Sequence, residues 1–149
     1  MTAPVTDPVV RAVLRRARVA RVATQTASGR PFLTPLWFVV DGDALVIATG
    51  AESWTSRNAL RNPEIVLLLG GEGRGGAGRL LRVRGTATVR REMPPWRVLL
   101  RVAFKYFLSP RALAVELRHV RLWRLRRRYQ GQAPGGPAHL RVVPDRIGG

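Results

Sequence analysis

Residues 18–63 read RVARVATQTASGRPFLTPLWFVVDGDALVIATGAESWTSRNALRNP. Three extended segments and one helix follow from this stretch. Arg18 to Thr26 is rich in Val, Ala and Thr, which suit a pleated, half-buried surface. Ala27-Ser28-Gly29-Arg30 turns the chain, because glycine supplies the positive φ of a tight hairpin. Phe32 to Val40 is a second strand, Asp41-Gly42-Asp43 a turn, and Ala44 to Thr49 a third strand. Pro35 cannot donate a ladder hydrogen bond, so it belongs on a sheet edge, at a bulge or beside a ligand. Ser53 to Asn62 is a short helix stopped by Pro63.

Outward from this stretch, residues 1–8 form a loose arm and Val9 to Arg16 a short amphipathic helix. Ile65 to Leu69 is continuously apolar, as in a strand buried on both faces. Gly70 to Gly78 is rich in glycine. No Gly-Lys-Ser/Thr follows, and a strand comes next, which excludes a phosphate loop. Over Arg79 to Arg91, Leu81, Val83, Gly85, Ala87 and Val89 alternate with Arg82, Arg84, Thr86, Thr88 and Arg90. That pattern is a half-buried antiparallel strand with a solvated basic face.

Met93-Pro94-Pro95-Trp96 opens a helix that runs to Leu108. Arg97, Arg101 and Lys105 form one stripe on it, amid apolar residues. Such a helix suits a homodimer interface better than a membrane surface. Ser109-Pro110 starts another helix to about Arg118, and Val120 to Tyr129 is the last strand. From Gly131 onward Gly and Pro dominate, which predicts a surface-draped tail. The layout is one domain over 1–130, with a helical insertion at about 93–118 and a Gly/Pro-rich tail over 131–149.

A chain of 149 residues buries enough surface to need no staples. It has no cysteine, so disulfides and thiolate metal sites are excluded. His119 and His139 have no second ligand at metal-binding spacing, and no metal is expected. No serine sits in Gly-x-Ser-x-Gly, against a hydrolase. Asp41 and Asp43 flank Gly42 as ordinary turn residues. No apolar run follows a basic start, so the expected location is the cytoplasm.

The formal charge is +17, nearly all from arginine, with Lys105 the only lysine. Such a field attracts polyanions: nucleic acid, acidic lipid or a phosphorylated cofactor. The interleaved aromatics of single-strand binders and a base-reading helix are both missing. A nucleic-acid-binding protein therefore rests on charge alone, and no specific nucleic acid is expected.

The place to hold a phosphate is Thr49 to Asn58. Ser53 is placed to cap the helix, and the first-turn N–H groups with the dipole favour an anion there. Arg57 lies one turn further on and reaches the same anion with a forked donor pair. Few side chains could carry chemistry of their own, so an enzyme of this sequence borrows a cofactor.

The chain resembles the pyridoxamine 5'-phosphate oxidase-like family over roughly Val13 to Arg91. The similarity lies in Val22-Ala23-Thr24, Gly29-Arg30-Pro31, Thr34-Pro35-Leu36-Trp37-Phe38, Ala48-Thr49-Gly50, Ser53 with Arg57-Asn58, Arg61-Asn62-Pro63 and Val83-Arg84-Gly85-Thr86-Ala87. The resemblance implies a mainly β fold with peripheral helices (α+β), a six-stranded antiparallel Greek-key split β-barrel. It also implies a homodimer that binds FMN or the deazaflavin coenzyme F-420 between its subunits. By position, Thr49, Ser53, Thr55 and Arg57 meet the phosphate end, while Thr34, Pro35, Leu36 and Trp37 line the ring; Asn58, beside them, is placed to satisfy backbone or ligand amides of the cofactor site. Thr55 stands where many relatives carry lysine, Trp54 where FMN-using oxidases carry arginine, and Thr34 where they carry a basic residue. The Thr-Pro-x-Trp-Phe run is similar to the deazaflavin-using branch. The implied function is hydride transfer to or from a small molecule. The alternative is a non-catalytic member that binds a flavin, haem or another acidic ligand.

Overall fold

Trp37 divides the second predicted strand in two. Pro31–Leu36 (β2) pairs antiparallel with Ala20–Gln25 (β1), whereas Phe38–Asp41 (β3) pairs with Ala44–Gly50 (β4). Glu64–Gly70 (β5), Leu80–Arg90 (β6) and Pro137–Gly148 (β7) complete an antiparallel sheet of order β2-β1-β5-β6-β7-β4-β3. This computed structural model describes residues 3–71, 78–106 and 135–149.

The two ends of the sheet, β2 and β3, are consecutive in the chain and joined through Trp37 alone. Laid flat, seven strands would hold their edges roughly 28 Å apart. One residue spans only about 3.5 Å. The sheet must therefore curl until its edges meet, and β2 packs against β4 across the closure. The result is the expected split barrel. It counts seven strands rather than six because the second one bends at Trp37. Pro35 sits on an edge strand, where its missing N–H costs nothing.

The expected tail over 131–149 is corrected. Pro137–Gly148 is a twelve-residue strand in the interior of the sheet, paired with β4 on one side and β6 on the other. Ala138, Leu140, Val142 and Ile147 are buried. Its prolines had pointed to a loop, but they occupy tolerated places. Pro137 starts the strand, and Pro144 sits opposite Gly85 at a register shift. A Cβ on Gly85 would lie 2.5 Å from the Val143 carbonyl oxygen, so only glycine fits there. The domain therefore includes 137–148. The predicted helix over Ser109–Arg118 and strand over Val120–Tyr129 lie outside the described residues.

Two smaller expectations also change. The N-terminal arm is tied down: Val5 is buried, and Ala3 donates its N–H to the Ile147 carbonyl at 3.1 Å. In β5, Ile65, Leu67 and Leu69 are buried, but Val66 and Leu68 are half-buried, so only one face is fully covered.

Pro8–Arg16 (α1) starts at Pro8, with Asp7 capping it by accepting from Val9 N and Val10 N at 2.9 and 3.1 Å. It places Val10 and Leu14 on the main core with Val22, Phe38, Ile47, Leu67, Val83 and Leu140. Each such side chain contributes about 1.5–3 kcal/mol when fully buried. Trp54–Arg61 (α2) packs on β1, β4 and β6.

Trp96–Tyr106 (α3) lies on the outer face of β3 and β4, over Val39 and Val46. Its basic stripe faces the fold. Arg97 and Arg101 reach Asp41, and Lys105 Nζ donates to the Leu14 carbonyl at 3.0 Å over the Phe38 ring. Trp96, Leu100 and Phe104 are left on the exposed side, Trp96 at 75 %.

Candidate functional site

β4 ends in Thr49-Gly50, and the chain turns into α2 with Ser53 as its cap. The Ser53 Oγ accepts from the Ser56 N–H at 3.1 Å. Ser53 N also donates to the Gly50 carbonyl at 3.2 Å, which closes the turn. A chain of hydroxyls runs through this corner. Thr49 Oγ1 and Ser53 Oγ are 2.8 Å apart, Ser53 Oγ donates to Ser56 Oγ at 3.2 Å, and Ser56 Oγ donates to the Gly50 carbonyl at 2.7 Å. Ser56, which the sequence reading did not single out, is buried and anchors this chain. Its signal was its place three residues after the cap, where a hydroxyl can answer the capping serine.

The cap leaves the N–H groups of Trp54 and Thr55 without an acceptor among the described residues. First-turn N–H groups are the orphans of any helix, and they carry the positive end of its dipole. Arg57 is exposed, and its guanidinium lies 5.6 Å from the centre of the Trp54 ring. Two free N–H groups, a rotatable serine hydroxyl and one guanidinium make a donor set that suits a phosphate.

The remaining predicted residues divide between several surroundings. Thr55 is buried at 2 % exposure, so its contribution outward is its backbone N–H. Asn58 is fully buried and donates from Nδ2 to Thr24 Oγ1 at 3.0 Å. It clamps α2 to β1, a tertiary role its polar character did not reveal. Thr34 and Leu36 share the half-buried face of β2, and Leu36 packs on the main core. Pro35 lies on the opposite, exposed face, opposite Arg21.

Trp37 stacks on Tyr106 of α3, with ring centres 4.8 Å apart and an interplanar angle of 13°. The Tyr106 hydroxyl accepts from Phe38 N at 3.1 Å and donates to the Phe38 carbonyl at 3.0 Å. It thereby satisfies both backbone groups of Phe38 on the free side of β3. Sequence alone could not pair Trp37 with a residue 69 positions later, because only the packing of α3 brings them together. The Trp37 carbonyl accepts from Ala48 N at 3.2 Å, so the stacked pair lies one residue along β4 from Thr49. The phosphate-suited corner and a flat aromatic wall thus share one end of the barrel.

Asp41 is not a free turn residue. Its side chain is 8 % exposed and meets Arg97, Arg101 and Arg141. Hydrogen bonds from Arg97 and then Arg141 hold its carboxyl below the usual carboxylate range. His139 is buried on β7, with Nδ1 3.0 Å from the Glu92 carbonyl oxygen. Among the described residues no group of three or more His, Asp or Glu side chains could hold a metal ion. No described helix is long and apolar enough to cross a membrane.

Comparison with known proteins gives a consistent result. The family model for pyridoxamine 5'-phosphate oxidase matches residues 6–126. An FMN-binding protein of Nitratidesulfovibrio vulgaris (strain DSM 19637 / Miyazaki F) is 31% identical over 96 residues, which cover 60% of this chain and 78% of that protein. Among solved structures, an F-420 reductase superposes with a TM-score of 0.63 at 19% identity, covering 93% of this chain and 94% of the other. The haem storage protein HutZ of Vibrio cholerae superposes with a TM-score of 0.67 at 15% identity, covering 95% and 92%. At these identities the two structures show the shared fold.

Proposed function

The chain belongs to the pyridoxamine 5'-phosphate oxidase family, and on that premise we propose that it is a flavin- or deazaflavin-dependent oxidoreductase acting on a small molecule. One observation carries the reading. The start of α2 offers the N–H groups of Trp54 and Thr55 together with Arg57, one residue along β4 from the Trp37–Tyr106 stack. FMN or coenzyme F-420, when bound, supplies the hydride acceptor or donor. The N–H groups of Trp54 and Thr55, the Ser53 hydroxyl and the Arg57 guanidinium hold its phosphate. Trp37 and the strand backbone beside it flank the ring, and Tyr106 keeps the Trp37 indole in one plane. Thr49 orients Ser53 through the 2.8 Å hydroxyl contact. A homodimer, as the family resemblance implied, completes this reading, and the cytoplasm is its expected location from the lack of an apolar run after a basic start.

The similarity to an FMN-binding protein and to an F-420 reductase supports a cofactor of this class. It leaves the choice between the two to measurement. Titration of the purified chain with FMN and with coenzyme F-420, followed by fluorescence, is the test. Binding at tens of micromolar or tighter is expected for one of them. Replacing Arg57 by Gln removes a charge-assisted contact and should weaken binding about tenfold or more. No binding of either cofactor overturns the reading, and binding indifferent to Arg57 overturns the phosphate site.

A second reading, a carrier or sensor without turnover, is favoured by Thr55. That position is uncharged and buried, and the Thr49-Ser53-Ser56 hydroxyls are already engaged with one another. The similarity to a haem storage protein fits it too. Tight binding without oxidation of any reduced cofactor would select this reading.

A further inference from the structure

A groove of about 1100 Å³ lies between α1 and α3, floored by the end of β3. It stands apart from the corner at Thr49 and Ser53: none of those residues lines it. Four cations reach it, Arg11 and Arg15 from α1 and Arg101 and Lys105 from α3, and among the described residues its lining contains no carboxylate. Two of them are engaged by the fold. Arg101 donates to the Val40 carbonyl and sits 3.5 Å from Asp41, and Lys105 donates to Leu14. Arg11 and Arg15 are exposed and meet no acid among the described residues. Apart from Thr6 and Gly42, the other described lining residues carry apolar side chains. Leu14 and Val39 line its inner side, and Phe104, 68 % exposed, forms its outer wall.

We propose that this groove binds an amphipathic anion, with its acidic head on Arg11 and Arg15 and its apolar body along Leu14, Val39 and Phe104. The charge decides the head. Two exposed guanidiniums that line the groove and meet no acid among the described residues favour an acidic group with forked hydrogen-bond acceptors, a carboxylate or a phosphate. The lining decides the body, because a wholly polar anion would leave Phe104 in water and desolvate the floor without gain. The volume slightly exceeds that of a drug-sized pocket, as an extended chain requires.

Equilibrium dialysis of the full chain against dodecyl phosphate, kept below its micelle concentration, tests the site. One molecule per chain is expected. The double variant Arg11→Gln/Arg15→Gln should weaken binding about tenfold or more. The control Arg82→Gln/Arg90→Gln removes the same charge from exposed positions of β6 and should change affinity less than about twofold. Inorganic phosphate and dodecanol, each carrying half of the proposed chemistry, should both bind at least about tenfold more weakly. Equal losses in the two double variants would mean attraction to the general field and overturn the site. So would phosphate binding as well as dodecyl phosphate. Binding to phosphatidylglycerol vesicles without binding to the dispersed probe would assign the face to a lipid surface and overturn it as well. Both variants change exposed side chains, so thermal melts matching the native chain are expected and confirm that folding is intact.

Discussion

Arg141 on β7 donates to Asp41 at the end of β3, Nη1 to Oδ2 at 2.8 Å, across 100 positions of sequence. Arg97 of α3 donates to the same carboxylate at 3.2 Å, and Arg101 approaches it at 3.5 Å. One nearly buried carboxylate thus joins the edge strand β3, the interior strand β7 and the helix α3.

Replacing Asp41 by Asn should therefore loosen this junction. The carboxylate is 8 % exposed, whereas its arginines are 38–56 % exposed, so water screens much of the attraction. The expected loss is about 1–3 kcal/mol. Urea melts of the two chains measure it, and an unchanged midpoint would refute the role given to Asp41.

The same carboxylate sets a pH dependence. Arg97 and then Arg141 lower its folded pKa below that of the unfolded chain. A group lowered on folding contributes its stability fully above the unfolded value, about 3.9, and loses it as pH falls through the folded one. The stability gap between the native chain and Asp41→Asn should be constant from about pH 5 upward. It should shrink below about pH 4. Urea midpoints across that range check it, and a gap that widens with acid would show the opposite sign.

Asn58 and Thr24 hold α2 to β1 through a buried hydrogen bond of 3.0 Å. Asn58→Ala strands the Thr24 hydroxyl away from water, at a cost of about 1–3 kcal/mol. Adding Thr24→Val should recover part of that loss, because it removes the unsatisfied group. Chemical denaturation of the single and double variants measures the coupling. Strictly additive effects would mean that the bond is not made.

Gly85 faces Pro144 at the register shift between β6 and β7. A methyl group there meets the Val143 carbonyl oxygen at 2.5 Å and the Val142 side chain at 3.0 Å. Backbone rather than a flexible side-chain tip is in the way, so Gly85→Ala should cost about 1–3 kcal/mol or more. A thermal midpoint equal to that of the native chain would show that the two strands are further apart than described.

Much of the barrel was legible in residues 18–91, because alternation, turn glycines and proline stops are local signals. The Ser53 cap with Arg57 behind it was legible for the same reason: one helical turn sets both positions. β7 was not. Glycines and prolines around Ala138 to Val142 resemble a loop until Gly85 is there to accept the irregularity opposite Pro144. The basic stripe of α3 was visible as a spacing, but its direction was not. Arg97 and Arg101 turn inward only because Asp41 and Arg141 meet beneath them.

By itself, then, the sequence determined the extended segments up to β6 except for the break at Trp37, the capped start of α2 and the family, since these depend on residues a few positions apart. Tertiary structure decided that Pro137–Gly148 completes the sheet, that Asn58 is a strut and that Trp37 stacks on Tyr106. Each of those joins groups from distant segments. The closing of the sheet across Trp37 selects their partners, and no local propensity encodes that choice.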